Sequence, residues 1–174
     1  MLGINKGEVR LAAPSIEWKV LFQKEKKLLN ELIGAHIKDL QHIGSTAIDG
    51  IDAKPVIDMV AGVTSMADIQ NFDKEKLKAS GYYHLHRVKI DGKAVFAKFS
   101  DLKNFTKTHI LHVVEYEGDW WSQHIFFRDY LNQHPEAAKE YEAMKRDLAM
   151  KYPNNESVYT DEKKQFVDKI LAKR

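Results

Sequence analysis

The stretch His42–Val60, HIGSTAIDGIDAKPVIDMV, opens on a glycine–serine step and closes on an apolar run, Val56-Ile57-Asp58-Met59-Val60, that holds one carboxylate. Gly44, Ser45 and Thr46 in succession read as a tight turn at a strand end, where backbone amides can face phosphate oxygens. Pro55 to Val63 reads as a buried strand, apolar on both faces except at Asp58. An unpaired carboxylate inside such a strand is costly. Asp58 therefore calls for a lysine, arginine, histidine or metal beside it, or for a place at the strand end next to solvent. Lys54 is the nearest basic residue in the sequence. The turn is not a Walker loop, because Ile51-Asp52 follows Gly50 where that motif needs lysine and then serine or threonine.

Upstream, Trp18, Leu21, Phe22, Leu28, Leu29, Leu32 and Ile33 fall at helical spacing, which predicts a helix from Ser15 to Ile33 closed by Gly34 in a left-handed cap. His36 to Ile43 turns strand-like. Downstream, Ser65-Met-Ala-Asp68 has the form of a capping box, opening a helix toward Gly81 with a break near Asp73. Asp91-Gly92 predicts a hairpin with arms Tyr82–Ile90 and Lys93–Phe99, and Thr108–Glu115 reads as a further strand. Three helices follow: Asp119–His134, Pro135–Lys151 after a proline suited to a first turn, and Thr160 to the end. The order predicts a single α+β domain over 1–174, with a mixed β-sheet core in 36–117 and C-terminal helices in 118–174.

Composition narrows the class. The chain of 174 residues suits one domain with a real core. A net charge of +2 gives no strong nucleic-acid signal. The lack of cysteine excludes disulfides and thiolate metal sites, and no apolar run approaches a membrane span. A cytoplasmic protein is the expectation.

A glycine–serine turn, a loop and then an aspartate on the next strand resemble the entry signature of the nucleotidyltransferase superfamily. There the turn holds a nucleoside triphosphate, and two carboxylates one residue apart hold magnesium, since residues i and i+2 of a strand share a face. Here the second position is Val60. An acid to replace it would have to come from elsewhere, with Asp49, Asp52 and Glu115 as candidates.

The whole chain from about Trp18 onward resembles the GrpB family. The resemblance rests on His42-Ile-Gly-Ser-Thr46 with Ala53-Lys-Pro55 and the Asp58 strand. It continues through Ser80-Gly-Tyr82, His109-Ile-Leu-His-Val113, Phe127-Arg-Asp-Tyr-Leu131, Tyr141-Glu-Ala-Met-Lys145 and Tyr159-Thr-Asp-Glu-Lys163. It implies a nucleotidyltransferase-like fold, mixed sheet and flanking helices, with no defined function. Fusion of some family members to dephospho-coenzyme A kinase points toward a nucleotide or other phosphorylated metabolite as ligand. Asp49, where the family commonly has proline, is expected to leave the loop freer.

Carried onto this chain, the resemblance implies a cleft with Gly44, Ser45 and Thr46 as its phosphate-facing lip, Asp58 on its floor and His112 near the place of a third carboxylate. Asp58 and His112 are the catalytic candidates. They can share a metal or form a His⁺–Asp⁻ pair. His42 either joins the floor or is a hydrogen-bonded core residue. Lys54 and Arg128 are candidates for phosphate, or for salt bridges. Tyr141 with Lys145, and Tyr159 with Lys163, are spaced to stack a base and hold a phosphate, or to let lysine stems cover tyrosines. His84 and His86 have metal-ligand spacing but suit a polar sheet face better. Trp120-Trp121 is expected to anchor a helix start. Three functions stay open: a binding module for a nucleotide or phosphorylated metabolite, an active nucleotidyltransferase using magnesium or manganese, and a different chemistry at a His/Asp metal site.

Overall fold

The computed structural model describes residues 1–174. Helix α1 (Glu17–Ile33) buries Trp18, Phe22, Leu29 and Ile33 along one stripe, with Glu25 buried beside them, and turns most of its other charged residues outward. Gly34 does not take the left-handed cap expected of it. Its backbone stays right-handed (φ −56°, ψ −32°), and a 3₁₀ turn over Gly34–His36 tightens the helix end. Strand β1 (Asp39–Ile43) accordingly starts later than expected.

Strand β2 (Ile57–Val63) runs antiparallel to β1 and sets Asp58 opposite Ile43. The Ser65 capping box is present, with Asp68 as its reciprocal acid, but it opens a 3₁₀ segment (Met66–Asn71). Asp73 then caps a separate short helix, α2 (Lys74–Ala79), so the expected break falls there.

The hairpin is shorter than its turn signal promised. Strand β3 spans Tyr82–His84, β4 Lys93–Asp101 and β5 Thr106–Glu115. His84 pairs with Phe96, and Ile90 meets Lys93 at the tip. Six steps lie between His84 and Ile90 but only three between Phe96 and Lys93, so residues 85–89 loop out. Val88 and Ile90 are exposed, with no apolar layer at that end to hold them in register.

The sheet order is β1-β2-β5-β4-β3, antiparallel throughout except for the central β2–β5 pair. Parity divides its side chains. One face sends Leu40, Ile57, Met59, Leu111, Val113 and Phe96 into the core beneath α1. On the other, Ile43, Val60 and Val114 pack under Trp121 of α3 (Asp119–Gln133). Helices α4 (Pro135–Lys151) and α5 (Glu156–Leu171) complete that side. α5 begins a turn earlier than expected because the Asn155 side chain accepts from the Val158 amide. The first residues also join the fold: Ile4 bridges to Lys107 and Ala12 to Ala53. No helix is long and apolar enough to cross a membrane.

Candidate functional site

The loop between β1 and β2 is held on almost every side. Gly44 has φ +73° and ψ −176°, a backbone region essentially limited to glycine. It leads into a 3₁₀ turn, Ser45–Ala47, whose first bond is donated by the Ala47 amide to the Gly44 carbonyl. Beyond it, Ile48 and Ile51 sink among Leu131, Tyr141 and Phe166. Asn132 accepts from the Asp49 amide and donates to the Ala47 carbonyl (2.8 and 3.0 Å). Lys19 bridges the Asp49 carboxylate at 2.6 Å. Asp49 therefore pins the loop, contrary to the freedom expected of it.

Asp58 and the glycine–serine bend share one hollow. A methyl group on Gly44 would lie 2.8 Å from Asp58 Oδ2 and 3.0 Å from its Cβ. The absent side chain is the space the carboxylate uses. His112 comes from β5, opposite Val60 and two positions further along the ladder, and its Nε2 sits 3.5 Å from Asp58 Oδ1. His112 Nδ1 is buried without a partner. The imidazole leans on Trp120 (centroids 4.9 Å apart), which stacks on His124 and carries Lys93 Nζ 4.9 Å from its ring centroid. Beside Lys93 and Trp120 opens a cleft of about 620 Å³, also lined by Ile90, Glu115 and Asp119.

The lower wall is basic and aromatic. Lys54 Nζ pairs with Glu156 Oε1 at 2.8 Å and lies 5.7 Å from the Tyr159 ring. Lys163 Nζ stands 4.7 Å from the same ring and takes part in no salt bridge. Burial pushes the Asp58 carboxyl upward, but His112, Lys54 and Lys163 outweigh it and hold the group below its ordinary range. Burial and the charge of Lys54 lower the Lys163 ammonium to about 8, against the opposing pull of Asp58 and Glu156.

Other residues named from the sequence lie elsewhere or have different partners. His42 is on the α1 face: it stacks on Phe22 (4.9 Å), and burial lowers its pKa to about 4. Its Nε2 meets Thr46 Oγ1 at 2.9 Å, while the Thr46 hydroxyl donates to the Val56 carbonyl (3.3 Å), so the histidine supplies that proton. Thr46 is thus buried behind the lip rather than on it. Arg128 donates to Gln41, to the His42 carbonyl and to Asp129, tying α3 to the edge strand β1. Tyr141 stacks on Phe166 and its hydroxyl meets Ser45 Oγ at 3.4 Å, so it does border the bend. Lys145 is 1% exposed and donates to the Asp52 carbonyl beneath the loop. His84 stacks on Phe96, and its ring centroid is 6.3 Å from that of His86.

The metal pair that the fold implies can be tested against these donors. Val60 is fully buried in the position of the second acid. Asp49 is bridged to Lys19, Asp52 is bridged to Arg146, and Glu115 belongs to the opposite strand parity from His112. No group of three or more His, Asp or Glu side chains is arranged to hold a metal ion. The residues present do not fit a two-metal centre. Sequence reasoning gives no role to Lys93, expects Trp120 only as a helix anchor, and offers Lys163 only as one of two readings of its spacing from Tyr159. The Tyr159–Lys163 spacing was its one signal for Lys163.

A mixed five-stranded sheet with the Gly-Ser bend and Asp58 on neighbouring strands, flanked by helices, defines a nucleotidyltransferase-like fold. Solved structures agree: a Cid1 poly(U) polymerase structure superposes with TM-score 0.52 at 17% identity, covering 80% of this chain and 43% of that one. The conserved protein GrpB from Enterococcus faecalis superposes with TM-score 0.84 at 24% identity over 94% of this chain and 96% of that one. Residues 8–173 match the family described as GrpB protein. A glutamate-rich protein GrpB of Alkalihalophilus pseudofirmus is 64% identical over 98% of both chains. UPF0157 protein YqkA of Bacillus subtilis is 35% identical over 93% of this chain and 46% of its own length. The chain belongs to the GrpB family.

Proposed function

We propose that the hollow between the Gly44–Ser45 bend and Asp58 binds the phosphate end of a nucleotide or another phosphorylated small molecule. The observation that carries this reading is that Lys54 and Lys163, both against the Tyr159 ring, act on Asp58 where it meets the Gly44 bend. Phosphate oxygens accept hydrogen bonds from ammonium groups, which Lys54 and Lys163 supply. A dephospho-CoA kinase of Mycolicibacterium paratuberculosis, 27% identical over 90% of this chain and 43% of its own length, makes coenzyme A-like phosphates a sensible probe.

The test is thermal unfolding with ATP, GTP and coenzyme A, each with and without magnesium. A rise in the unfolding temperature that disappears in Gly44→Ala supports the reading, provided that variant remains folded by circular dichroism. If none of the three compounds shifts the wild-type transition, the hollow is not a phosphate site.

A further inference from the structure

Lys163 is held by a ring and by no carboxylate. Its ammonium lies 4.7 Å from the Tyr159 ring centroid, on the ring that Lys54 also approaches, and joins none of the salt bridges that settle Lys54 and Asp58. A half-buried ammonium without a carboxylate partner is free to contact an anion. Lys54 lies against the same ring and pairs with Glu156 at 2.8 Å. On the opposite side Asp58 lacks a neighbouring carboxylate, because Val60 fills that place and His112 occupies the space next to it.

We infer that this site takes its phosphorylated ligand without a divalent cation, with Lys163 and Lys54 as the countercharge that metal ions provide elsewhere on this fold. The inference rests on the phosphate-binding reading above. It assigns Asp58 an unusual part. The carboxylate holds His112 and tempers the lysines when the hollow is empty, and it repels the phosphate when the hollow is filled. Removing its charge therefore favours the ligand. At a metal centre the same change would abolish binding.

Titration calorimetry with inorganic tripolyphosphate and with ATP, in EDTA and in excess magnesium, separates the cases. The expected result is binding in EDTA at least as tight as in excess magnesium, which chelates the phosphates and lowers the charge the lysines meet. Lys163→Met should weaken binding about tenfold or more, the loss of one charge-assisted contact, with partial recovery in Lys163→Arg. Asp58→Asn should bind as tightly as the wild type or more tightly. Wild-type protein should also show no binding of manganese alone by electron paramagnetic resonance, a measurement that needs no variant to fold. Binding that requires magnesium and vanishes in Asp58→Asn overturns this inference and leaves the phosphate site standing. An unchanged affinity in folded Lys163→Met removes the lysine clamp. Absence of binding by both probes in both media overturns the phosphate site and this inference with it.

Discussion

Gly44 shows how a single residue can serve both conformation and space. With φ +73° and ψ −176°, its backbone is in a region where a side chain costs about 1–3 kcal/mol. The added methyl would also strike Asp58, so Gly44→Ala should destabilise by at least that amount and displace the carboxylate, measurable as a lower urea midpoint. Lys163 makes a second prediction, through protons. In the free protein its pKa is lowered to about 8 by burial and Lys54, with Asp58 and Glu156 opposing. A bound phosphate adds negative charge and raises that value, so binding takes up a proton above pH 8. Affinity for tripolyphosphate should be full below about pH 8 and fall as pH rises beyond it, and Lys163→Arg should remove the fall. Asp58 was legible in the sequence because a charge inside an apolar strand is an anomaly that demands a partner. Lys163 was legible only as an open choice: four residues after a tyrosine on a helix, it has the same pattern as a lysine whose stem merely covers a ring. For His42 and Arg128 the sequence supplied the side chain but not the direction it faces.

Among the elements, the central pair β2–β5 is the least tolerant. Gly62 of β2 lies under Tyr116, so a methyl there would come within 2.7 Å of the ring and 3.0 Å of the Tyr116 Cα. Because the backbone cannot yield as a side chain tip does, Gly62→Ala should cost about 1–3 kcal/mol, read from urea unfolding with an unchanged slope. α1 is anchored differently, by a buried carboxylate. Glu25 accepts from Tyr82 at 2.6 Å and from Lys98 at 2.9 Å, joining the helix to β3 and β4. These examples show which elements can be read from sequence. α1 was found because its apolar stripe repeats over several turns, and β2 because its apolar run is continuous. The β3–β4 hairpin was overextended because Asp91-Gly92 specifies a turn but not how far the arms stay paired. The N-terminal residues were missed because their bridges to Lys107 and Ala53 are isolated and have no periodicity.

Across the whole molecule, the buried charges bias stability toward alkaline pH. Burial lowers Lys145 to about 7 and Lys163 to about 8, whereas an unfolded lysine titrates near 10.4. Between those limits the unfolded chain binds more protons, so stability rises with pH. His42, His109 and His124 are all lowered to about 4 by burial, and they add a rise between about pH 4 and 6.5. Glu25, Asp58 and Glu156 remain ionised below the ordinary carboxylate range, so their contribution is lost only as pH falls through those depressed values. Each of these groups therefore gives a slope of the same sign. The opposing groups are Tyr82, Tyr141 and Tyr159, which burial keeps protonated above their ordinary value, so stability falls once unfolded tyrosine ionises near pH 10. The unfolding free energy should therefore peak above about pH 8, outside the range of roughly pH 5–8 usual for proteins. Urea denaturation across this range checks it, with Lys145→Met expected to flatten the climb above pH 7. A maximum at or below pH 7 in the wild type would mean that these lysines find compensation in the folded state, most directly at the Asp52 carbonyl that Lys145 already reaches.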